Sequence, residues 1–237
     1  MSAPGAVPEP GRRRTGRIAL AISVFGELLI TAGLVLALFV AYSLWWTNVV
    51  ADRAAGKQSD KVRDHWAKDT GPGALDTKDG IGFLHVPAMK NGEVLVEKGT
   101  STEVLNDGVA GYYTDPAKAV LPMTGKTGNF TLAAHRDGHG AKFHNIDKMK
   151  KGDPIVFETK DDWYVYRTYA VLPETSKYNV EVLDQVPEES GKKKPGHYIT
   201  LTTCTPVYTS QYRYVVWGEL VRVDKVDSKR TPPKELR

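Results

Sequence analysis

Cysteine is almost absent: Cys204 is the only one in 237 residues. An internal disulfide framework is therefore excluded. With no second thiol and no close histidine pair, a structural zinc site is not expected either. The chain has no internal repeat, no low-complexity tract, nothing like a coiled coil, and no acidic cluster that clearly makes a calcium site. No metal or cofactor is expected. It also lacks a strong charge imbalance, with 32 basic residues against 28 acidic ones and a formal net charge of +4, much of the excess lying in the two tails. Nucleic-acid binding is accordingly not indicated.

One long apolar run is present, near the N-terminus. Residues 1–17 are rich in Pro, Gly and Arg, with Arg12, Arg13, Arg14 and Arg17 set against Glu9, and form a basic tail. Residues 28–46 follow without a charge. At about 1.5 Å rise per residue this run would extend roughly 28 Å, close to the hydrocarbon thickness of a bilayer. A transmembrane helix over 18–46 is expected, with the lipid bilayer as its partner and Trp45 and Trp46 at the far interface. The segment is too long, and lacks an evident cleavage site, for an ordinary secretory signal. Arginines before the span and none close behind it place the N-terminus in the cytoplasm and everything after Trp46 outside. Residues 47–79 are polar and glycine-bearing and read as an extracellular stalk, with a short helix around 60–68.

Past residue 80 the pattern changes to short alternating runs, 80–86, 94–96, 129–134, 154–159, 163–172, 197–203 and 212–223, punctuated by Gly, Pro, Asn and Asp. Only modest helical turns are expected, near 101–107 and 143–149. A single all-β domain over 80–226, sandwich or barrel, is the natural reading, followed by a polar tail over 227–237. The polar insertion 173–195 reads as a solvated, mobile connection.

Tyr198-Ile199-Thr200-Leu201-Thr202-Thr203-Cys204-Thr205-Pro206 alternates apolar and polar residues and ends at a proline, so the sulfur belongs at a strand end. A nucleophile on a rigid element fits that placement, and so does a packed structural thiol. A free thiol titrates near 8.5, so nucleophilic work requires a base or a cation beside it. Of six histidines, His135 ends a buried-strand pattern before the turn Asp137-Gly138. His85 reads as a core-edge residue, His65 as exposed, and His139, His144 and His197 as loop residues. The cation candidate is Arg213. A turn through 206–211 would bring its strand back antiparallel and set it near Cys204, where a guanidinium suits a developing oxyanion.

Thr200-Leu201-Thr202-Thr203-Cys204, Arg213-Tyr214-Val215-Val216-Trp217-Gly218 and Leu132-Ala133-Ala134-His135-Arg136 together resemble the signature of sortases, membrane-anchored cysteine transpeptidases of Gram-positive bacteria. Ile81-Gly82-Phe83-Leu84-His85-Val86-Pro87, Val96-Glu97-Lys98-Gly99-Thr100, Gly128-Asn129 and Lys151-Gly152-Asp153 extend the match in order, over about 80–224. The resemblance implies an eight-stranded β-barrel, with Cys204 as nucleophile, His135 as general acid and base, and Arg213 as oxyanion stabiliser. Similarity is greatest to class E, which implies a Leu-Ala-x-Thr-Gly sorting signal on secreted proteins and a peptidoglycan precursor amine as acceptor. Two departures stand out: Ala134 in place of glycine before the histidine, and Tyr112 in place of histidine. Tyr112, Thr202 and Thr203 are expected substrate contacts. A thiol hydrolase of the same signal, or a non-catalytic wall-binding barrel, is the alternative.

Overall fold

The computed structural model describes residues 16–68 and 80–237. The basic tail expected over 1–17 lies almost wholly outside the described residues, and so do residues 69–79 of the stalk expected over 47–79. The chain divides into two units, one ending at Ser43 and one running from Leu44. Helix α1, Arg17–Lys68, belongs to both.

In the first unit the helix is apolar on every side. Its most apolar window has a mean hydropathy of 2.3 and no buried residue. Ile22, Leu29, Leu34 and Phe39 all stand exposed. A helix apolar all round needs an apolar surrounding, and this one is long enough to cross a bilayer. It is the candidate membrane span.

In the second unit the same helix is amphipathic. Residues 47–68, expected as part of a stalk, bury Ala51, Ala55, Val62 and Trp66. The intervals of four, seven and four residues keep these side chains on one stripe. Ala55, Val62 and Trp66 join Phe83, Leu95 and Val109 in one cluster, and the Trp66 and Phe83 rings meet edge to face at 5.4 Å. Arg63 fixes the contact: it donates to both oxygens of buried Glu158 and, at 2.9 Å, to Glu93, with its guanidinium 4.0 Å above the Phe83 ring. The charged residues between the apolar ones hid this stripe in the sequence.

Eight strands close a barrel: β1 Gly82–His85, β2 Glu93–Lys98, β3 Ala110–Tyr112, β4 Gly128–Ala133, β5 Pro154–Glu158, β6 Asp162–Ser176, β7 His197–Thr205 and β8 Tyr212–Lys225. A short helix α2, Thr102–Asn106, capped by Ser101, stands between β2 and β3. The spatial order is β1-β2-β3-β4-β7-β8-β6-β5, closing back on β1. Closure removes sheet edges and packs alternate side chains inward. Leu84, Val94, Phe130, Leu132, Phe157, Tyr166, Ile199, Leu201 and Val216 fill the interior. The sequence reading lacked β3, whose three residues carry almost no alternation of their own. Pairing with β2 and β4 makes it a strand.

Residues 173–195, expected as a solvated connection, are partly buried. Strand β6 runs on to Ser176, and Val182 and Leu183 are buried against Val215 and Trp217, with the indole Nε1 donating to the Val182 carbonyl at 3.0 Å. Hydrogen bonds add to this burial: Asn129 donates to the Asp184 carbonyl at 2.9 Å and Gln185 to the Lys118 carbonyl at 2.8 Å. The segment expected as a polar tail over 227–237 also has partners. Arg230 donates to Glu158, and Glu235 receives Arg167 and Arg222.

Candidate active site

Strands β4 and β7 lie parallel, pairing Gly128 with His197 through Ala133 with Thr202. Two residues beyond the last pair stand His135 and Cys204. The pairing does continue: the Ala134 amide donates to the Thr202 carbonyl at 3.4 Å, and the Thr203 hydroxyl donates to the Ala134 carbonyl at 2.7 Å. Strands β7 and β8 are antiparallel, and Cys204 pairs directly with Arg213. Because successive side chains alternate faces, Ile199 and Leu201 enter the core while Thr200, Thr202 and Cys204 take the outer face. The same rule puts Arg213 with Val215 and Trp217, and His135 with Thr131 and Ala133, on that outer face. The residues that bear the thiol, imidazole and guanidinium thus stand at three adjacent strand ends.

Cys204 is half-buried and has no disulfide partner. His135 is also half-buried, and its Nε2 lies 2.9 Å from Oδ1 of Asn106 at the end of α2. Burial pushes the His135 pKa down from its ordinary value; the His139 ring, 5.4 Å away, pushes the same way, and Asp137 opposes both. Arg213 donates from Nη1 to the Ser210 and Tyr212 carbonyls at 3.2 and 3.0 Å, which aims its side chain back along its own turn. A thiol, an imidazole able to donate or accept a proton, and a permanent cation are the chemical types that acyl transfer uses.

The expected substrate contacts separate. Thr202 lies on the outer face with its hydroxyl 2.9 Å from the Tyr113 hydroxyl. Thr203 is buried and committed to the Ala134 carbonyl. Tyr112 packs in the barrel interior, and burial raises its pKa. Its neighbour Tyr113 is the one that reaches the site: burial raises its pKa, the Thr202 hydroxyl and the Arg213 charge pull it back, and Cys204 pushes it up again.

Three residues here were not singled out from sequence. Tyr113 differs from Tyr112 only by the one-residue alternation of a strand too short to be seen. Asn106 is 29 residues before its histidine partner, and no local pattern joins them. Arg136 is 6% exposed, donating to the Cys204 carbonyl at 3.5 Å, to the Thr205 hydroxyl at 2.8 Å and to Asp147 at 3.3 Å. It ties the histidine segment to the end of the cysteine strand. The adjacency of Arg136 to His135 was the available signal.

Elsewhere, His85, Glu93 and Glu158 converge closely enough to hold a metal ion. Arg63 and Arg230 already direct guanidinium groups at the Glu158 carboxylate, and two fixed cations oppose a third.

The sortase domain family matches residues 84–221. Among curated proteins, the chain is 78% identical over 235 residues to Sortase SrtE2 of Streptomyces coelicolor, covering 96% of this chain and 93% of that protein. It is 44% identical over 210 residues to Sortase SrtE1 of the same organism, covering 88% and 60%. Among solved structures, it is similar to the crystal structure of Sortase E1 from Streptomyces coelicolor with tripeptide in the active site, at TM-score 0.62 and 45% identity, covering 67% of this chain and 96% of that one. The structure of sortase E from Streptomyces avermitilis matches at TM-score 0.57 and 34% identity, covering 67% and 97%.

Proposed function

Because the chain belongs to the sortase family of cysteine transpeptidases and is similar to its class E members, we propose that Cys204, His135 and Arg213 carry an acyl transfer from a C-terminal sorting signal of the Leu-Ala-x-Thr-Gly type to a peptidoglycan precursor amine. The observation that carries this reading is the register: Cys204 opposite Arg213 on one side, and the His135 segment alongside on the other.

In the first step the Cys204 thiolate attacks the Thr-Gly carbonyl, forming the C–S bond and an oxyanion. Arg213 stabilises that charge. The C–N bond then breaks as the His135 imidazolium gives its proton to the departing glycine nitrogen. In the second step an amine attacks the thioester, the C–S bond breaks, and His135 takes the proton that the amine loses. The enzyme ends as it began.

Sortases are cell-surface enzymes, and the apolar part of α1 is compatible with membrane anchoring. In the orientation we favour, the N-terminus is cytoplasmic and the barrel extracellular, from the arginines that precede the span. Cysteines introduced near residues 10 and 60 in a Cys204→Ala background check this: an impermeant thiol reagent should label only the second in intact cells.

A fluorogenic Leu-Ala-x-Thr-Gly peptide, with and without added amine, tests the function. Amine-dependent product is expected; amine-independent cleavage identifies a hydrolase, and no turnover a binding module. Cys204→Ala and His135→Ala should abolish turnover, and Arg213→Ala should lower it about a hundred- to a thousand-fold. Near-normal turnover in His135→Ala would sink the assignment.

A further inference from the structure

Helix α1 keeps contact with the barrel along the turns that follow its apolar run. The Asn48 side-chain oxygen accepts from the Gly140 amide at 2.9 Å, and Asp52 pairs with Lys142 at 2.8 Å. The Ala51 carbonyl lies against Gly108, where a Cβ would come within 3.0 Å of it. Gly108 sits two residues beyond Asn106, the partner of His135 Nε2.

The loop that α1 holds has an unusual backbone. Gly138, His139, Gly140 and Ala141 all have positive φ, at 61°, 47°, 79° and 41°. Glycine adopts this region freely, whereas histidine and alanine are strained in it and keep it only when surrounding contacts fix the chain. Contacts that fix it include the turn bond from the Ala141 amide to the Gly138 carbonyl, the bond from the Phe143 amide to the His135 carbonyl, and the two side chains of α1. The product of this conformation is the His139 ring lying 5.4 Å from the His135 ring.

We propose that residues 47–52 of α1 are a positioning element of the acyl-transfer site: through Asn48 and Asp52 they hold the strained 138–141 loop so that His139 faces His135. The proposal rests on the assignment of His135 as general acid and base. In the protonated state His139 opposes a second positive charge on His135, so the helix sets the imidazole's proton affinity as well as its place. The other groups facing this ring are Asp137 on its own loop, with His144 Nδ1 3.9 Å from that carboxylate, and the neutral Asn106 amide from α2. Asp52 and Lys142 neutralise each other, Arg136 is committed to Thr205 and Asp147, and Cys204 and Arg213 lie on the adjoining strands.

The test is the pH profile of kcat/KM for the fluorogenic peptide, measured on the full chain in detergent micelles. His139→Ala should move the His135 limb to higher pH. Asn48→Leu should move it in the same direction, the double variant no further than the larger single effect, and Asn48→Gln, which keeps a neutral amide oxygen as acceptor for the Gly140 amide, should retain the original profile. Circular dichroism identifies any variant that fails to fold, in which case Asp52→Asn and Lys142→Met replace Asn48→Leu. A purely structural contact would lower yield or thermal stability and leave the limb in place. An unmoved limb in folded Asn48→Leu, beside a moved one in His139→Ala, overturns the role of the helix. An unmoved limb in both overturns the pairing of the two rings. Turnover surviving His135→Ala would instead defeat the catalytic assignment beneath it, so the failures are distinguishable.

Discussion

Substituting Glu158 by glutamine should destabilise the second unit by about 3 kcal/mol and release α1 from the barrel. The Glu158 side chain is 2% exposed and is shared by Arg63 from α1, His85 from β1 and Arg230 near the C-terminus. Burial alone would raise its pKa, but hydrogen bonds from Arg63, His85 and Arg230, with the Arg63 charge, hold it at about 2 instead of 4.5. The difference, at about 1.4 kcal/mol per pH unit, corresponds to about 3 kcal/mol. Removing one partner of a buried pair typically costs about 3–5 kcal/mol, because the remaining charge is left uncompensated. The two routes agree. The sign follows from the lowered pKa: the stabilisation is complete above about pH 4.5 and disappears as pH falls towards 2. Urea unfolding of the full chain in detergent, followed by tryptophan fluorescence from pH 2 to 7, measures both effects. A Glu158→Gln protein as stable as the parent at pH 7 would refute the reasoning, as would a parent whose stability is flat between pH 5 and 2.

Two further substitutions probe features that the sequence did not announce. Trp217→Phe keeps the ring's apolar contact but removes the bond to the Val182 carbonyl. Loss of about 1 kcal/mol and faster proteolysis within residues 177–195 are expected; an unchanged cleavage rate would mean that the segment is held without that bond. Tyr113→Phe removes the hydroxyl contact with Thr202 and should cost about 1 kcal/mol in thermal or urea unfolding. A neutral result would show that the tyrosine's ring packing, and not its hydroxyl, matters there.

Much of the site was legible because its chemistry sits in contiguous strands. The alternation through Cys204 gave a strand end, and a turn of six residues, 206–211, returned the chain so that Arg213 had to lie nearby. The pairing of β4 with β7 was not legible in that way. A parallel neighbour 69 residues away leaves no local signature, so the sequence offered His135 as a partner for Cys204 by its place at a strand end and by resemblance, without the pairing that joins the two strands. The short strand β3 likewise exists only because β2 and β4 flank it.

The apolar helix, the all-β character beyond residue 80 and the side chains chemically able to do nucleophilic work could all be read from the amino-acid order. These follow from composition and from periods of 3.6 and 2, which are local properties. Tertiary structure decided what depends on contacts between distant segments. It made residues 47–68 part of the barrel unit, because Arg63 and Trp66 find Glu158 and Phe83 there. It also turned Tyr113 rather than Tyr112 towards Thr202, and set Asn106 and His139 beside His135. A charged helix reads as solvated until its partners are known, and the face a side chain takes in a three-residue strand is fixed by the strands beside it.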